Sequence, residues 1–244
     1  MTFAADRGDV AHRLDQSIQR HVPAGFGLSR SAIQKLVAAG RVTVNGTPAR
    51  RAARRLSAGD LIAVDAQPTP PPLPPPAESL PLDVLYEDDH LLVVCKPAGM
   101  VAHPTSARRT GTVINAVLGR APGSAWTPRL VQRLDKDTSG LLIVAKSAAV
   151  HTALQANRAD IVKEYLAVVW GRPSPRHGEI DGALGRDPLD RRRMMVRSAG
   201  SPSHTAYAVI ACSAGGRPGL SLVRCRLGTG RTHQIRVHLA DRGW

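Results

Sequence analysis

A proline-rich segment sets the strongest limit on how this chain can fold. Residues 66–80 read AQPTPPPLPPPAESL. Proline lacks a backbone N–H and clashes with the preceding helical turn, so this segment cannot form a helix or a central strand. We therefore predict two domains, at 12–65 and 82–244, joined by a semi-rigid linker at 66–80. The alternative interpretation is a proline-rich ligand for an SH3-like partner domain.

The most informative segment of the second domain is VQRLDKDTSGLLIVAKS, residues 131–147. Its run Leu141–Ala145 is apolar with β-branched members, which predicts a buried strand. The residues before the run are charged and then turn-forming, which favours a tight turn. Because the strand would hold a carboxylate in that turn firmly, we expect functional chemistry at this junction. The alternative is a solvated loop whose charges neutralise one another.

The charge of the chain indicates a polyanionic partner. Among 244 residues, 33 are Lys or Arg and 19 are Asp or Glu, which gives a formal net charge of +14 and a pI near 11.0. Most of the excess is arginine, which suits bidentate phosphate contacts and stacking on bases. Nucleic acid is the expected partner. Genome base bias is another source of arginine, but it does not explain the net excess.

Other sequence features argue against several classes of protein. The spacing of Cys95, Cys212 and Cys225 indicates neither a disulfide framework nor a zinc site. The sequence contains no phosphate-binding loop, dinucleotide glycine pattern or metal-ligand cluster, which is consistent with our expectation of no cofactor and no metal. The start MTFAADRGDV lacks the basic start and apolar core of a signal peptide, and no apolar run approaches membrane-spanning length. We expect a cytoplasmic monomer without membrane contact.

The first domain shows helical and then strand-like periodicity. Two helices and two strands are predicted, at 12–22, 28–39, 41–44 and 60–64. Ser29 or Ser31 is placed to cap the second helix. The Asn45-Gly46 pair is a strong hairpin signal.

The strings SRSAIQKLVAAGRVTVNG and AGDLIAVD in this domain resemble the small RNA-binding domain named after ribosomal protein S-four. The resemblance implies an RNA-facing basic surface, where side chains supply affinity through phosphates rather than by reading sequence. The basic residues concerned are Arg30, Lys35, Arg41, Arg50, Arg51, Arg54 and Arg55. The alternative is an ordinary solvated face.

In the second domain, RLDKDTSGLLIVAK resembles the central motif of the RluA-type pseudouridine synthases. The resemblance implies that Asp135 is the catalytic aspartate, and that Arg133 contacts RNA in the space that the target base vacates. The family usually has His before this Arg, whereas this chain has Gln132, which forms hydrogen bonds but carries no proton charge. We interpret the difference as tuning, since the essential group of the family is the aspartate.

Two other segments resemble the opening and second motifs of the same family. The opening motif is Lys96-Pro97-Ala98-Gly99 followed by His103-Pro104, so Lys96 and His103 are predicted RNA contacts, although a structural turn explains the Pro and Gly equally well. The KxY spacing matches the second motif and implies that Tyr165 stacks on the target base. A plain strand tyrosine is the alternative.

GTGRTHQIRVHLA, residues 228–240, resembles the third motif. Of its two arginines, Arg236 is assigned the salt bridge with the catalytic carboxylate. Arg231 and His233 are assigned to RNA binding. Where the family continues into a Gly-Asp-containing segment and a closing strand, this chain stops at Trp244. We therefore expect a C-terminally truncated catalytic domain.

The expected fold class is α+β, with a small α/β RNA-binding domain followed by a catalytic domain on a mixed, mostly antiparallel sheet. Residues 172–204 are interpreted as a loop-rich insertion whose cluster Arg191-Arg192-Arg193 touches phosphates.

The resemblance implies isomerisation of specific uridines in structured RNA to pseudouridine. The pairing of the two domains resembles enzymes that act on large-subunit ribosomal RNA, and transfer RNA is the alternative substrate. Two rival functions are an RNA-binding protein without turnover and an RNA-directed hydrolase that uses Asp135.

Overall fold

The structure is a computed structural model that describes residues 1–23, 25–68, 73–105, 107–214 and 219–244. The chain divides into two compact units, Met1–Pro74 and Pro75–Trp244. The predicted linker falls partly outside the described ranges, so its conformation and the predicted domain limits stay predictions. In the described part of the chain, no helix is long and apolar enough to cross a membrane.

The first unit packs two helices against a four-stranded antiparallel sheet of order β1-β4-β2-β3. Its elements are β1 (Thr2–Ala4), α1 (Leu14–His21), α2 (Arg30–Ala38), β2 (Val42–Val44), β3 (Thr47–Pro48) and β4 (Leu61–Val64). The core forms because the helices bury one apolar face each and the strands bury alternate residues. Leu14, Ile18, Ile33, Val42 and Ile62 are 0% exposed.

Local signals in the sequence explain much of this unit. Ser29 caps α2, since its hydroxyl accepts a hydrogen bond from the Ala32 N–H at 3.2 Å. Asn45 and Gly46 have φ of 53° and 76°, the left-handed conformations that a two-residue hairpin turn requires. The predicted helices and strands are confirmed. Strand β1 was not predicted, because it is a short edge strand defined by its pairing with β4.

The second unit is built on antiparallel sheets. Its elements are β5 (Asp83–Glu87), β6 (Leu91–Lys96), α3 (Val113–Arg120), β7 (Arg129–Leu130), β8 (Gly140–Ala145), α4 (Ala148–Ala156), β9 (Glu164–Trp170), β10 (His177–Asp181), β11 (Leu184–Arg186), β12 (Met194–Val196), β13 (His204–Cys212), β14 (Leu220–Leu227) and α5 (Gln234–Asp241). Within the described ranges, the four-stranded sheets have the orders β5-β6-β8-β7 and β10-β13-β14-β9, and β11 pairs with β12. The predicted α+β class with mostly antiparallel pairing is confirmed.

Residues 172–204 are rich in loops, as predicted, but they also contain three strands that were not predicted. This region contributes β10 to a four-stranded sheet and forms the β11–β12 hairpin. Ile180 of β10 is 2% exposed and belongs to the core. The strands are short, three to five residues, and lie among Gly and Pro, so their periodicity was too brief to recognise.

The end of the predicted linker packs on helix α3 of the second unit. Pro76 O accepts a hydrogen bond from Asn115 Nδ2 at 2.8 Å, and the Glu78 N–H donates to Asn115 O at 3.0 Å. The Glu78 carboxylate also accepts from the Gly111 N–H at 3.0 Å. Gly119 permits this approach, since a Cβ there would lie 2.0 Å from Glu78 O. Residues 76–78 are therefore part of the second unit's structure.

Strand β8 places the predicted functional junction between two cores. It is an inner strand, and Leu142, Val144 and Ala145 are 0% exposed. Tyr165 of β9 packs partly against the core around β8 and partly against the core of the other four-stranded sheet. The start of β8 therefore lies where the two sheets meet.

Candidate active site

Asp135 lies in a tight turn between β7 and β8. The Thr138 N–H donates to the Asp135 backbone oxygen at 3.1 Å, and Leu134 anchors the turn with only 8% of its surface exposed. The Asp135 side chain is 22% exposed, whereas Asp137 points into solvent. The turn therefore presents one carboxylate, Asp135, from a fixed backbone.

Two groups of the third motif face the Asp135 carboxylate. Arg236 Nη1 lies 3.7 Å from Asp135 Oδ2, and His233 Nε2 lies 3.8 Å from the same oxygen. Both distances exceed those of hydrogen bonds, and the contact of Arg236 with Asp135 is an ion pair. Arg236 is in the first turn of α5, and His233 precedes α5 in a left-handed conformation with φ 55°. The start of α5 thus brings basic side chains to Asp135.

A buried glutamine fixes the loop that carries these residues. Gln234 is 3% exposed, and its Oε1 accepts a hydrogen bond from the Arg231 N–H at 3.0 Å. Its Nε2 donates to the His204 backbone oxygen at 2.8 Å and to Thr205 Oγ1 at 3.0 Å. Because both ends of the amide are bonded, the glutamine ties the loop before α5 to β13. No structural role was predicted for Gln234, since its partners are distant in sequence.

Asp135 lines a cavity of about 660 Å³, together with His103, Arg133, Tyr165 and His233. A smaller cavity of about 170 Å³ adjoins it and is also lined by Arg133, Asp135, Tyr165 and His233. Arg231 and Arg236 line this smaller cavity. The structure therefore gathers around Asp135 the predicted site residues of the second domain apart from Lys96. Their individual roles in catalysis and RNA binding stay predictions.

Tyr165 supplies the aromatic wall of both cavities. It pairs with Cys225 of β14 in the sheet, which fixes its backbone. Burial raises the pKa of the Tyr165 phenol, and the charge of Asp135 adds to the rise. The phenol therefore stays neutral at physiological pH.

The prediction that Lys96 contacts RNA is corrected by the structure, because Lys96 is 0% exposed. Its Nζ donates to the backbone oxygens of Pro97 at 2.7 Å, Met100 at 2.8 Å and Lys136 at 2.8 Å. Burial lowers the pKa of Lys96, and the carboxylates of Asp137 and Asp135 oppose that effect. Lys96 therefore ties the turn after β6 to the residue that follows Asp135.

The basic residues predicted to bind RNA in the first unit fall into two groups. Lys35, Arg50, Arg51 and Arg54 are exposed. The other three have partners within the unit: Arg41 Nε lies 3.0 Å from Asp65 Oδ2, Arg30 Nε lies 2.9 Å from Asp15 Oδ2, and Arg55 donates to the Ala11 backbone oxygen.

The pairing of Arg30 is structural as well as electrostatic. Asp15 is 0% exposed, and burial opposes its ionisation. Hydrogen bonds from Arg13, Gln34 and Arg30 outweigh burial and lower the pKa of Asp15. Arg30 holds a buried carboxylate and so links α1 to α2, and its contact with RNA stays a prediction.

Gln132 lines the larger cavity at the position where the family usually has His. Its Oε1 is buried and accepts no hydrogen bond from any described residue. A neutral amide therefore stands beside Arg133 at the wall of the site.

Comparisons with known proteins agree with this geometry. Residues 90–241 match the RNA pseudouridylate synthase family, and residues 13–62 match the S4 domain. The chain is 40% identical over 235 residues to ribosomal large subunit pseudouridine synthase D of Nitrosomonas europaea. This alignment covers 95% of this chain and 66% of that protein. A protein of the same name from Zymomonas mobilis is 38% identical, with 96% of this chain and 74% of that protein covered.

The fold leads to the same family. The human RNA pseudouridylate synthase domain containing 1 structure has a TM-score of 0.55 at 30% identity, covering 69% of this chain and 68% of that chain. An inner strand that presents an aspartate turn between two antiparallel sheets defines the site. The chain belongs to the RNA pseudouridylate synthase family and carries an S4 domain in its first unit.

Proposed function

We propose that this protein isomerises uridines in large-subunit ribosomal RNA to pseudouridine, with Asp135 as the catalytic carboxylate. The observation that carries the proposal is the coincidence of the family match over residues 90–241 with an accessible aspartate in a cavity of about 660 Å³. The names of the relatives support ribosomal RNA as the substrate. This substrate also supports the expectation that the protein acts in the cytoplasm.

The reaction conserves every atom of the substrate. The bond between uracil N1 and the ribose C1′ breaks, the base turns within the site, and a new bond forms between C5 and C1′. The proton lost from C5 is balanced by the proton that N1 gains. Because no electrons or groups are exchanged with another molecule, the residues of the site can carry out the reaction by acting on the ribose, moving protons, stabilising charge and holding the base.

Asp135 is the group that we propose acts on the ribose. An ionised carboxylate serves either as a nucleophile at C1′ or as a base toward the sugar, and both routes need the same accessible oxygen. Arg236, with Nη1 3.7 Å from Asp135 Oδ2, balances the charge of that carboxylate. The two routes differ in whether an ester between Asp135 and the sugar forms.

Tyr165 and Arg133 are proposed to handle the target base. A uridine in a paired stem must leave the stack before C1′ becomes accessible, which costs a few kcal/mol. Stacking of the uracil on Tyr165 offsets part of that cost, at about 1–3 kcal/mol per base. Arg133 is exposed at the wall of the larger cavity, where its guanidinium can occupy the vacated position.

The S4 domain is proposed to supply affinity for structured RNA. Its basic side chains Lys35, Arg50, Arg51 and Arg54 are exposed. Phosphate contacts of this kind displace counterions, so they raise affinity in a salt-dependent way without selecting a sequence. The selection of one uridine is then left to the catalytic unit.

The proposal is tested with RNA transcripts that carry tritium at C5 of uridine. Isomerisation releases one tritium per pseudouridine formed and leaves the mass of an unlabelled RNA unchanged. Release of free uracil or cleavage of the strand would instead establish the hydrolase alternative. Tight binding with no tritium release and no adduct on RNA containing 5-fluorouridine would establish an RNA-binding protein without turnover.

A further inference from the structure

Two cations that were not assigned a role line the cavity that contains Asp135. Arg158 lies in a single 3-10 turn, Arg158–Asp160, that follows α4, and Lys163 immediately precedes β9. Nothing in the sequence distinguished Arg158 from the other arginines. The structure places it beside Lys163 on one wall of the cavity.

This wall carries two positive charges, and the carboxylate of the same cavity, Asp135, is contacted by His233 and Arg236. Within the ranges that the structure describes, no Asp or Glu oxygen forms an ion pair with Arg158 or Lys163. Burial lowers the pKa of Lys163, and the positive charge of Arg158 adds to the effect. Two neighbouring like charges in a partly enclosed site repel each other unless an anion binds between them.

The backbone on the opposite side lets Arg158 approach the catalytic loop. Gly230 lies before His233 in the loop that faces Asp135, and a Cβ at Gly230 would lie 3.1 Å from Arg158 Nη2. The guanidinium therefore lies against the loop that also presents His233 to the catalytic carboxylate. An anion held by Arg158 is consequently close to the reacting nucleotide.

Resting on the proposed function, we propose that Arg158 and Lys163 form an anion subsite that holds one phosphodiester of the RNA strand beside the target uridine. A guanidinium offers paired donors to phosphate oxygens, and an ammonium adds a point charge. Since uracil is neutral, recognition of the base alone leaves this charge unbalanced. Holding the adjacent phosphate fixes the ribose so that C1′ faces Asp135.

The test pairs protein variants with single-phosphate neutralisation. The RNA is a short stem-loop that the wild-type protein binds, with one phosphate at a time replaced by a methylphosphonate, which removes its charge. We expect one position at which this change weakens wild-type binding roughly 10-fold, the size of one charge-assisted hydrogen-bond contact. In Arg158→Gln or Lys163→Gln, the same replacement should cost clearly less than in the wild type, about 3-fold, because only one of the two cations still contacts the phosphate.

The kinetic arm uses the same two variants. Loss of one phosphate contact should raise KM roughly 10-fold with a smaller change in kcat, and should reduce the slope of log K against log salt by about 0.7–0.9. Arg224→Gln is the matched control. Arg224 is exposed, and it pairs with Leu166 on the face of the sheet opposite to Tyr165 and Cys225. In Arg224→Gln, both KM and the binding loss caused by the methylphosphonate should therefore stay at wild-type values.

Failure of this subsite is distinguishable from failure of the proposed function. If methylphosphonates weaken the wild type and both variants equally at every position, the anion subsite does not exist, whatever the tritium assay shows. If coupling is found at one position, the subsite stands even where no tritium is released. Because Arg158 is exposed, we expect Arg158→Gln to fold. If Lys163→Gln does not fold, the test can still be decided with Arg158→Gln alone.

Discussion

Replacing Lys96 with Met tests whether this buried lysine builds the active site. Met retains most of the apolar stem, but the three backbone oxygens that Nζ contacts at 2.7, 2.8 and 2.8 Å lose their donor. Each hydrogen bond to a charged group contributes about 1.5–3 kcal/mol. Removing the ammonium also removes its desolvation cost of several kcal/mol, so we expect a net loss of about 3–5 kcal/mol in unfolding free energy.

The Lys96→Met change should also lower turnover beyond its effect on stability. One of the three acceptors is Lys136 O, and the Gly99 N–H donates to the same oxygen at 2.9 Å. Lys136 follows Asp135 directly, so a loosened turn displaces the catalytic carboxylate. A displacement of about 1 Å costs roughly 10²-fold in rate.

The assay combines urea unfolding with tritium release at a temperature where the Lys96→Met variant is folded. Lys136→Met is the stability control, since its side chain is exposed and its backbone oxygen is retained. We expect it to change unfolding free energy by less than about 0.5 kcal/mol. Wild-type stability in Lys96→Met, with weaker RNA binding and a smaller salt slope, would refute the structural role and restore the RNA contact.

Two further predictions concern stability. Gly119→Ala should destabilise the second unit by about 1–3 kcal/mol in urea unfolding, because its Cβ would lie 2.0 Å from Glu78 O; unchanged stability would show that residues 76–78 do not dock on α3. In the first unit, burial opposes ionisation of Asp9, but hydrogen bonds from His21, the Asp6 N–H and Arg20 lower its pKa from 3.8 to about 2. Since the unfolded chain then binds more protons, this stabilisation is complete above pH 3.8 and is lost as the pH falls through 2. Asp9→Asn should remove that part of the pH dependence in an acid titration of the first unit followed by hydrogen exchange, and an unchanged profile would contradict the assignment.

The parts of the fold that could be predicted depend on contacts between residues close in sequence. Ser29 caps α2 through a residue three positions away, and Asn45-Gly46 turns the chain within two residues. The run Leu141–Ala145 forms an inner strand as its apolar composition indicates, although only Leu142, Val144 and Ala145 are fully buried and Leu141 is more than half exposed. For the same reason, the turn that carries Asp135 was located correctly from sequence.

The parts that could not be predicted depend on tertiary contacts. In the sequence, Lys96 resembles a surface cation. In the fold it is buried, and its ammonium donates a hydrogen bond to the backbone oxygen of Lys136, 40 positions away. Gln234 is fixed by β13, about 30 positions earlier, through His204 O and Thr205 Oγ1. Arg158 reaches the cavity because Gly230 leaves room for its guanidinium. None of these partners is encoded by local periodicity.

The most direct test of the central claim is tritium release by Asp135→Asn measured beside Asp137→Asn. Asn keeps the size and an acceptor oxygen, so both variants should fold and bind RNA within about 2-fold of the wild type. Asp137 is exposed, and Asp137→Asn should retain most activity. The single-turnover rate of Asp135→Asn should fall by about 10²–10⁴-fold, since a neutral amide can neither attack C1′ nor remove a proton from the sugar. Equal rates in the two variants, or wild-type turnover in Asp135→Asn, would contradict the assignment of the catalytic carboxylate.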